Sequence, residues 1–333
     1  MDTVTHGVSG ALVGSAVANY TGVLPDQTLQ YIVIGALAGS LPDIDFLAEL
    51  KGKLAAWRLH RILLHGVTTA FLLGMLFIVV ATLIFDVSWQ VISVITVTAL
   101  CVHLILDVLT SFGTCLLYPF SRKRFSLKLN FISDPFVLGI CIWGLVVDTR
   151  AIEALFSLCL YFVFCVGVKR LTEIQVRKNL PSGFEKEIIF LEPALLAPFR
   201  WLAIVKIQQG YLHSQLNFLS LSDWCFTPHG MNPKLVSLAE KDPLLSAVLA
   251  TFEFPVYQVY DKELLVIEDL KWWTERPFRP LAFTATIVNN GDKLSLQDEA
   301  LLLADVQQGG FFVMEGRDKP YLQPALPYAS NAT

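Results

Sequence analysis

The chain has 333 residues, of which 54% are hydrophobic and only 16% are charged, and its formal net charge is −4. With a mean hydropathy of +0.56, it is too apolar for an ordinary soluble protein, and the membrane class is favoured. The slightly acidic balance argues against a nucleic-acid-binding surface.

Long apolar runs precede residue 170 and most of the charge follows it, which predicts two domains. Residues 1–170 are expected to form a membrane-embedded bundle of about five or six helices, and residues 171–333 a soluble domain. Segments of about 20 apolar residues cross a bilayer with ease, and shorter ones are interpreted as half-helices or packed inner helices. The apolar segments are residues 6–23, 29–41, 67–85, 89–110, 134–147 and 152–169.

Glycines recur at a spacing of four residues in the first two segments. Gly10 and Gly14 form one such step, and Gly35 and Gly39 form another. This spacing lets two helices approach closely, so we interpret these glycines as packing positions.

Basic residues predict the orientation of the bundle. If every segment crosses, the loops at 42–66 and 111–133 and the stretch after 168 lie on one side, and these regions carry nearly all of the basic residues of the bundle. The positive-inside rule places that side in the cytoplasm. The N-terminus and the C-terminal domain are therefore expected in the cytoplasm.

Acids and histidines lie inside or beside the apolar segments. A charged group within a membrane costs roughly 2.5 to 3.5 kcal/mol even on lenient scales, so each is a candidate functional residue. In the predicted topology they all converge on the cytoplasmic face, which indicates a divalent-metal site. They are His6, Asp43, Asp45, His60, His65, His103 and Asp107.

Spacing adds detail to the fourth segment. His103 and Asp107 are neighbours on one helix face, and Ser111 is expected to extend that face by a turn. The imidazole and carboxylate can share one ion, or the carboxylate can orient the imidazole. A simple buried His–Asp pair is the alternative.

Two loop motifs supply further candidates. In LPDID, Pro42 breaks the helix and two acids follow, which suits oxygen ligation, although a solvated acidic turn would look the same. In HRILLH, His60 and His65 are too far round a helix to share a face well. We favour His65 as the ligand and expect His60 to act behind it or on the substrate.

The motifs resemble the YdjM-like membrane-bound metal-dependent hydrolases of the bacterial inner membrane. The matching elements are MDTVTHGVSGALVG at the N-terminus, GSLPDID at 39–45, HRILLH at 60–65, HLILDVLTSFGTCLLYPFS at 103–121 and Asp134. The resemblance implies that the metal ligands are His6, Asp45, His65, His103 and Asp107. Where the family has Thr-His-Ser, this chain has Leu64-His65-Gly66, which removes two hydroxyl groups.

The same family is distantly similar to zinc-dependent phospholipase C and P1 nuclease, which implies phosphoester hydrolysis. Imidazole and carboxylate ligands suit Zn²⁺ best, with Mn²⁺ or Fe²⁺ as alternatives, as one or two ions. Catalytic roles are assigned to Asp43, as a base or bridging ligand, and to His60. Ser111, Arg61 and Arg122 are candidate substrate-binding residues, although the basic ones suit topology or lipid head groups equally.

Two functions follow from these residues. The first is a metal-dependent hydrolase at the cytoplasmic face of the inner membrane, acting on a phosphoester or lipid-like substrate among membrane lipids. The second is a non-enzymatic divalent-metal carrier or assembly partner that uses the same ligands. A carrier is expected to hold its acids near the bilayer midplane, whereas these acids lie at helix ends, which favours the enzyme.

The C-terminal half shows strand-like alternation at 252–260, 264–273 and 281–290, with turn signals between the runs. A small β-rich (α+β) domain is therefore predicted. The apolar stretch 192–205 carries Pro193 and Pro198, which disfavour a further transmembrane helix. The tail from about 318 is expected to be disordered.

Overall fold

A computed structural model describes most of the helical half and the strands of the C-terminal half. The described residues are 2–44, 63–147, 150–184, 187–194, 198–208, 210–217, 226–230, 249, 252–260, 264–272, 281–290, 293–305 and 310–316. The predicted tail from 318 lies outside this range.

Six α-helices occupy the described part of the N-terminal half, one at each predicted apolar segment. They are α1 (Thr3–Thr21), α2 (Pro25–Ser40), α3 (Val67–Ile84), α4 (Trp89–Leu109), α5 (Pro135–Val146) and α6 (Ala151–Asn179). Three of the described helices, α3, α4 and α6, are long and apolar enough to cross a membrane. The predicted helical fold class of this half is confirmed.

Side-chain caps define where two of these helices begin. Asp2 precedes α1 and its carboxylate accepts a hydrogen bond from the Thr5 N–H. Asp134 precedes α5 and accepts from the N–H groups of Phe136 and Val137. Such caps satisfy backbone donors that the helix itself leaves open. Asp134 of the family motif therefore fixes the start of α5.

Helices α1 and α2 pack with their backbones in close contact at the predicted glycines. A Cβ atom on Gly35 would collide with the carbonyl oxygen of Gly10, and one on Gly14 would collide with that of Tyr31. A Cβ atom on Gly39 would lie 2.5 Å from the His6 carbonyl oxygen. These close approaches agree with the interpretation of the glycines as packing positions. The approach at Gly39 also brings His6 next to the end of α2.

Apolar side chains from four helices form the main core of the helical half. The loop between α4 and α5 contributes one buried leucine to the same cluster. The buried members are Leu12, Ala16, Leu106, Leu109, Leu129, Val137, Cys141, Ala151, Ala154, Leu158 and Cys165. Burial of these residues holds the middle of α1 against the end of α4.

The C-terminal half forms two sheets, which confirms its predicted β-rich class. The first sheet has the order β1-β2-β3-β4, built from β1 (Ile189–Pro193), β2 (Arg200–Ile207), β3 (Gly210–Asn217) and β4 (Thr227–Gly230). The second is an antiparallel sheet of β5 (Pro255–Tyr260), β6 (Leu264–Asp269), β7 (Leu281–Asn290), β8 (Lys293–Asp305) and β9 (Gly310–Gly316). Strands β1 and β2 occupy the stretch where the prolines disfavoured a transmembrane helix.

Backbone contacts divide the chain into two compact units. The first includes Met1–Gln175 and Leu191–Trp201, and the second includes Val176–Phe190 and Leu202–Leu216. Residue 170, the predicted domain boundary, lies inside α6. The cytoplasmic location of residues 171–333 stays a prediction.

Candidate metal centre

Four elements bring five ionisable side chains to one place in the helical unit. His6 lies near the start of α1, Asp43 directly after α2 and His65 directly before α3, while His103 and Asp107 occupy the last two turns of α4. All five residues are buried, with exposed fractions between 0% and 3%. The first and last of the five residues, His6 and Asp107, are 101 positions apart in the sequence, so the fold brings the cluster together.

Each carboxylate of the cluster lies between imidazole rings. Asp107 Oδ1 is 3.2 Å from His6 Nε2, and its Oδ2 is 3.4 Å from His65 Nε2 and 3.7 Å from His103 Nε2. Asp43 Oδ1 is 3.3 Å from His65 Nε2 and 4.0 Å from His103 Nε2. The Nε2 atoms of all three histidines therefore face carboxylate oxygens.

His103 is oriented by the backbone of α2. Its Nδ1 donates a hydrogen bond of 2.7 Å to the carbonyl oxygen of Gly39, and its ring stacks on the His6 ring with the centroids 3.6 Å apart. A carbonyl only accepts, so the proton of the neutral ring is on Nδ1 and the Nε2 lone pair is directed into the cluster. Within the described residues, His103 Nε2 has no hydrogen-bond partner.

Asp43 contributes a second open acceptor. Burial alone would raise the pKa of its carboxyl group. The hydrogen bond from His65 and the electrostatic effect of the neighbouring histidine rings outweigh burial and hold this pKa well below its usual range. Its Oδ2 atom is buried and has no hydrogen-bond partner in the described part of the chain. An ionised carboxylate thus presents an open lone pair inside the site.

The donor atoms fit a divalent metal ion. Two sets of three have ligand atoms within 4.8 Å of one another, namely His6, Asp43 and His103, and His65, His103 and Asp107. Ligand atoms about 2.1 Å from a tetrahedral Zn²⁺ ion are about 3.4 Å apart, close to the separations in the cluster. Three imidazoles and two carboxylates also match the ligand preferences of Zn²⁺, Mn²⁺ and Fe²⁺. Either set can hold one ion. Both sets share His103, which has one free lone pair on Nε2, so a second ion would need a further ligand.

The loop after α4 supports the ligands from behind. Thr110 Oγ1 donates to the Asp107 carbonyl oxygen over 2.8 Å, and Thr114 Oγ1 donates to the His65 carbonyl oxygen over 3.4 Å. A Cβ atom on Gly66 would lie 2.6 Å from the Tyr118 carbonyl oxygen. A glycine at position 66 therefore allows this loop to approach His65 closely.

The structure brings together five of the seven residues predicted as a metal site. Asp43, predicted as a base or bridging ligand, has its Oδ1 atom 3.3 Å from His65 Nε2. Asp45, His60 and Arg61 lie outside the described residues, so their predicted roles stay predictions.

Two predicted substrate-binding residues lie in the loop after α4. The expectation that Ser111 extends the helix face of Asp107 is wrong, because α4 ends at Leu109 and Thr110 is extended at φ −82° and ψ 167°. Ser111 is buried beside Thr110, and Arg122 is exposed further along the loop. Their binding roles stay predictions.

Sequence reasoning missed the groups that orient the ligands. The Gly39 carbonyl is a backbone group, and no residue type signals a backbone acceptor. Thr110 and Thr114 follow His103 and Asp107 in the same motif. Their hydroxyl groups, close to two predicted ligands, could have indicated a supporting role. Both threonines are fully buried.

Comparison with known proteins identifies the family of the N-terminal half. Residues 1–174, just over half of the chain, match the family described as YdjM inner membrane protein. The chain therefore belongs to the YdjM family of inner membrane proteins, as the motifs predicted. The helices long enough to cross a bilayer agree with a membrane protein.

The chain is also similar to a protein of Bacillus subtilis. "Uncharacterized protein YfhP" of Bacillus subtilis (strain 168) is 26% identical over 208 residues, which cover 59% of this chain and 62% of that protein. The chain thus matches less than two thirds of the length of this relative. No solved structure is significantly similar to the chain.

Proposed function

We propose that the chain is a metal-dependent hydrolase of the bacterial inner membrane that acts on a phosphoester or lipid-like substrate. The observation that carries this proposal is the buried cluster, in which imidazole nitrogens and carboxylate oxygens lie 3.2 to 4.0 Å apart. Five fully or almost fully buried ionisable groups cost stability without a compensating ligand. A bound ion or a catalysed reaction would explain why the fold carries these buried groups despite that cost.

The residues have distinct roles in this proposal. His6, His65, His103 and Asp107 hold the ion, and Asp43 joins the two sets of ligands because its Oδ1 lies near both His65 and His103. When bound there, a divalent ion would supply Lewis-acid chemistry, activating water and polarising an ester oxygen. The Gly39 carbonyl keeps the His103 ring in the binding tautomer.

Location supports a substrate at the membrane surface. The ligands lie at helix ends rather than in the middle of the apolar helices. The loop between α4 and α5 carries exposed Arg122, Lys123 and Arg124, which suit a phosphate or an anionic lipid head group. Zn²⁺ is the preferred ion, and the cytoplasmic face is the preferred side because the positive-inside rule predicts that the basic loops lie there.

A hydrolysis assay tests the proposal. The protein purified in detergent is loaded with Zn²⁺ or Mn²⁺ and incubated with bis-p-nitrophenyl phosphate, p-nitrophenyl phosphate and a short-chain phospholipid. We expect turnover that a chelator abolishes and that His65→Ala reduces by about 100-fold or more. Cys101→Ala, on the exposed side of α4, is the matched control and keeps full activity.

Burial of the cluster favours a second candidate. All five side chains are at most 3% exposed, whereas an enzyme must admit its substrate. A non-enzymatic membrane protein that binds a divalent metal, as a carrier or assembly partner, satisfies this geometry. Stoichiometric metal without hydrolysis of any of the three substrates would favour this candidate over the hydrolase.

A further inference from the structure

Asn130 carries a buried amide that the described fold does not use. Its residue is 0% exposed, and neither its side-chain nitrogen nor its side-chain oxygen has a hydrogen-bond partner among the described residues. Leaving a buried polar group unpaired costs about 1 to 3 kcal/mol. Groups of this kind call for an explanation by a bound ligand, ion or water.

Backbone contacts place Asn130 beside the last turn of α4. Its N–H donates to the Leu109 carbonyl oxygen over 3.2 Å, and it forms a parallel bridge with Thr110. Residues paired in this way carry their side chains on the same face. The Thr110 hydroxyl reaches back to the Asp107 carbonyl oxygen. The pairing therefore predicts that the Asn130 side chain lies on the same side of the bridge as the Thr110 side chain, next to the helix end that carries Asp107.

The same segment also touches the start of α1. The carbonyl oxygen of Ile132 accepts a hydrogen bond of 3.2 Å from the Asp2 N–H, and Asp2 caps the helix that carries His6. Residues 130–132 thus lie between the two helix ends that supply His6, His103 and Asp107. The fully buried Asn130 amide is therefore carried by a segment that contacts both helix ends.

We propose that Asn130 is a substrate-binding residue whose carboxamide donates a hydrogen bond to an oxyanion, of the phosphate type, held at the metal centre. This inference rests on the proposed function. A neutral donor adds no charge that competes with the metal ligands, and it strengthens as charge develops on the bound oxygen. Among the described residues, stability alone gives no reason for the amide, because an apolar side chain of similar shape would fill the same space without the unpaired groups.

Phosphate binding by the zinc-loaded protein tests the inference. Inorganic phosphate is titrated while thermal unfolding is followed, and bound zinc is measured by mass spectrometry. In wild type we expect phosphate to raise the midpoint of unfolding. In Asn130→Leu we expect zinc to be retained, the phosphate-free midpoint to be equal or higher, and phosphate affinity to fall by about 10-fold or more.

Thr96→Val is the matched control. Like Asn130, Thr96 is fully buried, and its side-chain oxygen has no hydrogen-bond partner in the described range. Thr96 lies in α4, two turns before His103 and away from the loop that carries Asn130. Its substitution should leave phosphate affinity unchanged. Asn130→Asp keeps the shape and replaces the donor by an acceptor, so it should weaken phosphate binding at least as much if Asn130→Leu fails to fold.

The outcomes separate the inference from the proposed function. Phosphate affinity within 2-fold of wild type in a zinc-loaded, folded Asn130 variant overturns the inference alone, and so does loss of zinc from that variant. Zinc-loaded wild type that phosphate does not stabilise also overturns it. Wild type that binds no metal overturns the proposed function, and the inference with it.

Discussion

The Nδ1 nitrogen of His103 donates a 2.7 Å hydrogen bond to the carbonyl oxygen of Gly39. This bond joins α4 to the last turn of α2 and directs the His103 Nε2 lone pair toward the carboxylates. Gly39 is also a contact between α2 and α1, because a Cβ atom there would lie 2.5 Å from the His6 carbonyl oxygen. Helix packing and ligand orientation therefore depend on the same residue.

Gly39→Ala should weaken metal binding and stability together. The added methyl group forces α1 and α2 apart, which moves the acceptor of the His103 hydrogen bond. We expect metal affinity to fall about 10- to 100-fold, as for other lost partners of metal-ligating histidines, and the free energy of unfolding to fall by about 1 to 3 kcal/mol. Metal titration and thermal unfolding in detergent measure both.

Gly139→Ala is the matched control for this substitution. Gly139 lies in α5, and a Cβ atom there would meet nothing within 4 Å. Its substitution should be neutral or slightly stabilising because alanine has the higher helix propensity. Equal metal affinity in Gly39→Ala and Gly139→Ala would show that the Gly39 contact does not position the site.

Gly66→Ser restores the residue type that the resembled family has after the histidine. In this chain the new Cβ atom would lie 2.6 Å from the Tyr118 carbonyl oxygen, so the loop behind His65 must move. We expect a lower unfolding midpoint and weaker metal binding rather than a gain of function. Gly167→Ser, at a position with open space in α6, serves as the comparison. Tighter metal binding in Gly66→Ser would contradict this interpretation.

The helices and most of the cluster could be predicted from sequence because both depend on side-chain type. Apolar runs gave α1 to α6, and the expense of burying His103 or Asp107 marked them as functional. The apolar run also placed the end of α4 to within one residue, but the position of Ser111 could not be predicted, because the extended backbone at Thr110 is not marked by a proline or glycine. The roles of Gly39 and Asn130 were also hidden, since one acts through its backbone and the other through the tertiary placement of a loop.

The ion pair between Lys128 and Glu192 links the loop after α4 to β1 within the first unit. Glu192 is 1% exposed and Lys128 is 17% exposed. Glu192→Gln leaves the Lys128 charge poorly compensated, so we expect the free energy of unfolding to fall by about 1 to 3 kcal/mol. The loss should be smaller than for a fully buried ion pair, because water still reaches the partly exposed lysine. Thermal or denaturant unfolding in detergent measures the change.

The exposed pair of Arg150 and Glu153 provides the comparison. Their side chains are 52% and 47% exposed, so Glu153→Gln should change stability by less than about 0.5 kcal/mol. If both substitutions had equal effects, the buried pair would contribute no more than a surface pair.

Metal removal should lower the stability of the helical unit. A ligand that binds only the folded state at 100 times its dissociation constant adds about 2.7 kcal/mol. Added Zn²⁺ should therefore raise the unfolding midpoint, and a chelator should reverse the shift. In Asp43→Asn the shift should shrink, because a ligand charge is lost while the shape is kept. A shift of the same size in Asp43→Asn and wild type would exclude Asp43 from the metal site.

The metal content of the purified protein is the most direct measurement of the central claim. Bound Zn, Mn and Fe are quantified by mass spectrometry after purification in detergent for wild type, His103→Ala and Cys101→Ala, two substitutions in the same helix. We predict one or two ions per chain in wild type and in Cys101→Ala, and loss of the metal from His103→Ala. Equal metal content in all three proteins, or none in metal-supplemented wild type, would contradict a metal site built from the buried histidines and aspartates.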